Sequence, residues 1–329
     1  MKPARSFARS QLQGLLRVMA LILVVVAYVT QPMLGWHGSR DAADVDAGRL
    51  QRDVETLSMK FAPRNASHPE RLDAVADYIR EQLVAAGGRV DDQDVPADGR
   101  TYRNVIARFG PDGGERLVVG AHYDTAGSTP GADDNASGVA GLLEIARLLG
   151  AAPPATCVEL VAYTLEEPPH FRTPRMGSAV HASALKAQGV EVRAMIALEM
   201  IGYFTDAERS QGSPAPLLGV LYPSQGNFVA VVGNIGTGLL VRRIKGAMQA
   251  TTELPVHSLN APGALPGVDF SDHLNYWKAG YPAVMVTDTA FYRNANYHTV
   301  RDTAETLDYG RMAQVVQGVH AAILELAEP

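Results

Sequence analysis

The strongest constraint on what this chain can fold into is a hydrophobic period that switches repeatedly along its length. Short apolar runs at 104–109, 116–120, 157–164, 194–200, 227–232 and 282–287 read as strands. Segments 137–149, 177–188, 239–250 and 308–326 instead place apolar residues every three to four positions, as helices do. An earlier helix is marked by Leu72, Val75, Ile79 and Leu83, with Ser67 and Glu70 at capping-box spacing and Gly87-Gly88 closing it. This alternation predicts an α/β fold: a three-layer sandwich with a mixed, largely parallel central sheet flanked by helices. Residues 206–222 are rich in Gly, Pro and Ser and read as one long loop, a connection of the kind that borders functional sites.

Composition narrows the function. Hydrophobic residues make up 47% of the 329 and charged residues 19%, enough for a full core. A net charge of -6, with no basic run beyond the extreme N-terminus, argues against nucleic acid as a partner. Cys157 is the single cysteine, so an intramolecular disulfide and a thiolate-based zinc site are both excluded. Any metal must rest on His, Asp and Glu.

The N-terminus is different material. Lys2, Arg5, Arg9 and Arg17 precede or enter an apolar run that reaches Val29 and resumes at Met33, Leu34 and Trp36. Residues 15–34 supply the roughly 20 positions a spanning helix needs. Positive charge on the N-terminal side alone keeps that end in the cytoplasm. The expected division is a basic cytoplasmic segment 1–14, an N-terminal transmembrane signal anchor 15–36, a polar linker 37–54 and a folded domain 55–329. A cleaved signal peptide is the competing reading, although Thr30-Gln31-Pro32 lacks the small-x-small pattern of a cleavage site.

Five acidic or imidazole clusters stand out. Four fall beyond the carboxyl ends of strands, where open α/β sheets bind ligands, and the fifth follows the last strand. In His122-Tyr123-Asp124, Asp124 is placed to take the second ring nitrogen of His122 and fix its tautomer. Asp133-Asp134 opens a helix, and adjacent carboxylates repel unless solvated or held by cations. Glu166-Glu167 leaves an apolar strand; one of the pair suits a metal and the other a proton. Glu199 ends another strand, where a lone carboxylate among apolar residues needs a partner. His298 lies in Asn296-Tyr297-His298-Thr299. Taken singly, each has a plain structural explanation: a surface triplet, an N-cap beside a loop acid, a solvated turn.

Taken in order, the motifs say more. His122-Tyr123-Asp124, Gly131-Ala132-Asp133-Asp134-Asn135-Ala136-Ser137-Gly138, Glu166-Glu167, Met200-Ile201-Gly202, Ser271-Asp272-His273 and Tyr297-His298-Thr299 resemble the co-catalytic dizinc aminopeptidases. That family also includes the glutamate carboxypeptidases, and the resemblance covers about 104–309. It implies a zinc exopeptidase, most naturally an aminopeptidase, with two Zn2+ per chain acting on a peptide substrate. By the same resemblance His122 is a terminal ligand of one zinc and Asp134 bridges both. Glu167 and His298 hold the second zinc, and Glu199 holds the first where the family usually has Asp. Glu166 becomes the general base and Tyr297 a stabiliser of the tetrahedral oxyanion. A site of carboxylates and imidazoles also suits manganese or cobalt.

Three relatives share the expected fold: a carboxypeptidase of the same family, a glutaminyl cyclase-like acyltransferase with one zinc, and a receptor-like ectodomain without metal. The pairing of His122 with Asp124, and competent residues at all five ligand positions, favour the two-metal peptidase. The remaining expectations are a monomer, tethered to a membrane with its catalytic domain on the periplasmic or extracellular side. His273 is expected to be structural. His170, His181, His257 and His320 are expected on the surface or in satisfied positions, and Tyr276 and Trp277 in the core.

Overall fold

The apolar runs assemble into the middle of a single sheet. The computed structural model describes residues 3–32 and 42–328. The strands are β1 (Arg89–Ala97), β2 (Arg100–Phe109), β3 (Arg116–His122), β4 (Cys157–Tyr163), β5 (Val192–Glu199), β6 (Val229–Gly233), β7 (Val256–Asn260) and β8 (Ala283–Thr287). They lie in the order β1-β2-β4-β3-β5-β8-β6-β7. The central β4, β3, β5 and β8 run parallel, as do β6 and β7. The pairs β1–β2, β2–β4 and β6–β8 are antiparallel. A parallel core buried on both faces explains why β3, β4, β5 and β8 read as mainly apolar runs, with Glu159 of β4 the buried exception, paired to Arg108 and Arg116.

The helices are α1 (Pro3–Thr30), α2 (Ala47–Glu55), α3 (Pro69–Ala85), α4 (Gly138–Ala151), α5 (Gly177–Ala187), the single turn α6 (Leu218–Leu221), α7 (Gly238–Gln249), α8 (His273–Ala279) and α9 (Tyr309–Ala327). Alternate residues along each strand feed two cores. Leu117, Val119, Leu160, Ile196 and Val284 pack against α2, α3, α4, α7 and α9. Val118, Val161, Met195 and Ala283 pack against α5 and α8. These are the three expected layers. On the α5–α8 side, Ala230 and Val232 of β6 and Phe228 just before it meet loop residues such as Val268.

Three local readings are corrected. The linker expected over 37–54 ends early: Asp46 accepts hydrogen bonds from the Gly48 and Arg49 amides and starts α2, which buries Leu50 and Val54. One apolar pair four residues apart is too short a period to see in a sequence. The Ser67–Glu70 capping box does not form; Pro69 takes the first helical position, and the Ser67 amide donates to Asn65 Oδ1 instead (3.1 Å). Strands β1 and β7 were not anticipated. Both are sheet edges, and β1 alternates exposed and half-buried residues with Pro96 near its end.

In α1, residues 11–30 form a 20-residue stretch with mean hydropathy 2.2, long and apolar enough to cross a membrane, and none of it is buried in the folded body. Met33, Leu34 and Trp36 of the expected span lie outside the described residues.

Candidate metal centre

The carboxyl ends of the parallel strands converge on one spot. β3 ends on His122, β5 ends on Glu199, and β4 runs directly into Glu166 and Glu167. The loop before α4 brings in Asp134, and the loop after β8 brings in Tyr297 and His298. Leu165, Met200 and His298 all hold positive φ (58°, 50° and 56°), a strained backbone that gathers beside functional groups.

The five residues expected to bind metal come together as two triads that share one carboxylate. His122, Asp134 and Glu199 form the first, and Asp134, Glu167 and His298 the second; within each, the potential ligand atoms lie within 4.8 Å of one another. His122 Nε2 stands 3.4 Å from Asp134 Oδ1 and 3.4 Å from Glu199 Oε2. His298 Nε2 stands 3.1 Å from Asp134 Oδ2 and 3.3 Å from Glu167 Oε2. The two oxygens of Asp134 therefore face different imidazoles, as a bridging ligand requires.

The surroundings sort the adjacent acids into roles. Asp133 turns away and accepts from the Gly202 amide (3.0 Å) and Asn294 Nδ2 (2.7 Å). Asn135 fastens the same loop to the end of β5, donating to Leu198 O (2.8 Å) and accepting from the Met200 amide (3.0 Å). Asp302 accepts from the Asp133 and Asp134 amides (2.8 and 3.1 Å) and fixes where Asp134 points. Ser271 donates to Glu199 Oε2 (2.7 Å).

Asp124 does something other than orient one ring. Its Oδ1 accepts from the Glu166 amide and its Oδ2 from the Glu167 amide, each at 3.0 Å. His122 Nδ1 is nearer the Asp124 main-chain oxygen (3.2 Å) than the carboxylate (3.5 Å). One carboxylate thus sets the position of both glutamates, which a triplet in the sequence gives no hint of. His273 is buried against Val268 O (2.8 Å) and the Trp277 ring, and His181 meets the Tyr276 hydroxyl and Glu159.

Arg64 was missed entirely. It is fully buried, and its guanidinium donates to Tyr123 O (2.7 Å), Pro130 O (2.7 Å), Gly131 O (2.7 Å) and Leu57 O (3.2 Å). Burial pulls its pKa down to about 10, opposed by the charges of Asp302, Asp134, Asp124 and Glu167. It is therefore a cation that both ties the site loops together and offsets their acids. Replacing Arg64→Met leaves those carbonyls unpaired. The expected cost is about 3–5 kcal/mol, or a fall in melting temperature on the order of 10 °C. An unchanged melting curve would show that the loops stand without it.

The electrostatics call for a cation. Burial pushes the Glu166 carboxyl well above its usual range and Glu167 up to about 7. Burial opposes a charged His122 and His298, yet the facing carboxylates push both upward, His298 to about 10. Burial also works against Asp134, but hydrogen bonds from the two imidazoles hold its pKa below the ordinary value. His122 Nε2 and Glu167 Oε1 are buried without a hydrogen-bond partner. Oxygen and imidazole donors clustered in this way, with orphaned atoms facing inward, fit divalent metal.

Beside the centre lies an apolar pocket with about 1020 Å³ of empty space, part of it open to solvent. Glu199 and Tyr297 are part of its wall; Phe228, Val268, Phe270, Met285 and Phe291 line it, with Leu218 of the turn α6 and Tyr222 just after it.

Comparison with known proteins gives this fold and site a class, then a family. In overall fold the chain is similar to BSAP, a zinc aminopeptidase from Bacillus subtilis (TM-score 0.68, 16% identity, 87% of this chain and 96% of that one). It is also similar to the glutaminyl cyclase of Bacteroides thetaiotaomicron bound to N-acetylhistamine (TM-score 0.65, 20% identity, 86% and 99%). Among curated proteins, the uncharacterized protein YfbL of Escherichia coli (strain K12) is 52% identical over 279 residues, covering 82% of this chain and 85% of YfbL. Leucine aminopeptidase 1 of Grosmannia clavigera is 29% identical over 303 residues, covering 87% and 69%. The model of peptidase family M28 matches residues 104–323. The chain belongs to peptidase family M28, the zinc exopeptidase family its motifs resemble.

Proposed function

We propose that this chain is a membrane-anchored zinc aminopeptidase with two metals, one held by His122, Asp134 and Glu199 and the other by Asp134, Glu167 and His298. The observation that supports this reading above all is the sharing of Asp134 between the two triads. Zinc bound there would polarise the scissile carbonyl and acidify a water molecule. Glu166, buried in the same cluster and outside both triads, takes the proton from that water and passes it to the leaving amine. Asp124 holds Glu166 in place through its amide. The Tyr297 hydroxyl, kept protonated by burial, faces the developing oxyanion from the pocket side.

The pocket supports the choice of chain end. Among the described residues no lysine or arginine lines it to pair with a terminal carboxylate, whereas an apolar side chain fits among Phe270, Met285 and Phe291. The N-terminal residue of the substrate therefore presents a large apolar side chain. Leucyl and phenylalanyl anilides are expected to exceed lysyl anilide in kcat/KM by about 10-fold to 200-fold, the range a hydrophobic pocket delivers. Faster hydrolysis of N-acylated dipeptides than of anilides would instead make the enzyme a carboxypeptidase.

Residues 11–30 of α1 serve as the anchor in this reading, with the catalytic domain on the outer side. Membrane fractionation with mass analysis checks it: intact chain in the membrane fraction is expected, and a soluble, N-terminally shortened chain would mean a cleaved signal.

A further inference from the structure

The end of α1 is fastened to the folded body. Lys245 Nζ on α7 donates to Thr30 O (3.0 Å) and Gln31 O (3.1 Å). Ser258 Oγ on β7 donates to Thr30 O (2.8 Å), Asn260 Nδ2 donates to Tyr28 O (3.1 Å), and the Tyr28 hydroxyl donates to Ile235 O. The apolar stretch of α1 ends at Thr30, so this clamp lies at the level where the helix would leave the hydrocarbon.

Around the clamp the surface of the body is apolar. In the turn just before α7, Ile235 is 58% exposed, and at the start of α7 Leu239 is 82% exposed. On the other flank, Leu217 is 73% exposed and Val220 81%, in and beside the turn α6. That turn is tied to the same place, because the Tyr222 hydroxyl donates to the main-chain oxygen of Ser258 (2.6 Å), whose side chain holds Thr30. Exposed Arg242 follows Leu239 by three positions on α7, the same face of the helix, while Arg243 beside it is held by Glu325 of α9 (main-chain oxygen at 3.0 Å, carboxylate at 3.8 Å). Apolar side chains beside an exposed cation are the composition of a surface that meets the headgroup region of a bilayer.

We propose that Leu217, Val220, Ile235 and Leu239 form a membrane-contacting rim that seats the catalytic domain on the outer leaflet; this rests on the anchor reading of α1. The consequence reaches the active site. Leu218, Gly219 and Tyr222 of the seated turn also line the substrate pocket, so the pocket is held at the membrane surface. The substrate class is then peptides whose apolar N-terminal residue lies at the lipid–water interface.

The test uses the full-length chain in vesicles of phosphatidylethanolamine and phosphatidylglycerol. Because Cys157 is buried, a nitroxide label goes selectively onto Val220→Cys, Leu239→Cys, Leu21→Cys and Val84→Cys. Val84 is an exposed control on α3, which packs at the β1–β2 edge, opposite β7. Collisions with lipid-soluble oxygen should exceed those with aqueous chromium oxalate at positions 21, 220 and 239, and the reverse should hold at 84. Water-like behaviour at 220 or 239 with lipid-like behaviour at 21 would overturn the rim and leave the anchor standing. Water-like behaviour at 21 would remove the anchor, and the proposal with it.

Discussion

Glu166→Gln is expected to lower kcat by about 10²–10⁴ while both metals stay bound. The substitution keeps size and shape and removes the ability to accept a proton. Asp124 would still hold position 166 through its main-chain amide, so the backbone has no reason to move. Glu167→Gln should behave differently. Its Oε2 faces His298 at 3.3 Å in the second triad, so the change should lower occupancy of that metal before it lowers the rate of a fully loaded enzyme. Metal loss in Glu166→Gln with full occupancy in Glu167→Gln would reverse the two assignments. Two unaffected variants would reduce the pair to a buried turn.

The second large effect is expected at Asp134. Its carboxylate is the only group common to both triads, and Asp302, Asn135 and the Gly131–Gly138 loop are arranged to aim it. Asp134→Ala should therefore empty both metal positions together and lower kcat/KM by about 10³ or more, the equivalent of several kcal/mol of lost charge stabilisation. Asp133→Asn should instead spare metal content. Asp133 Oδ1 and Oδ2 face the Gly202 amide and Asn294, so its loss disturbs the loop without removing a ligand. Full occupancy in Asp134→Ala, measured by elemental analysis of the dialysed protein, would remove the bridge from the account.

Much of this was legible in the sequence, for identifiable reasons. Strands β3, β4, β5 and β8 are buried on both faces, so their burial is written as largely apolar runs, broken within β4 by Glu159. His122 and Glu199 then stand out as the polar residues that close β3 and β5, and Glu166-Glu167 as the acids just beyond β4. Edge strand β1 lacks that signature because one side of it is largely exposed, and β7 because polar His257, Ser258 and Asn260 interrupt it. Asp302 and Arg64 were illegible as partners of the site, and Asp124 was legible only as a partner of His122, because each acts through main-chain groups of residues distant in the chain. A carboxylate that caps two amides looks like any other loop acid until the loops are in place. Glu199, longer by a methylene than the usual aspartate, reaches His122 and Ser271 from the end of β5, and the other four ligand candidates gather with it.

The account stands on two metals sharing Asp134, and metal content measures that directly. The full-length protein, purified in detergent with zinc present and dialysed against metal-free buffer, should retain two zinc ions per chain by elemental mass spectrometry. Native mass spectrometry should show both lost in Asp134→Ala. A single zinc in the active wild-type enzyme would contradict the two-metal centre and leave a one-metal reading, as for a glutaminyl cyclase-like acyltransferase, in its place.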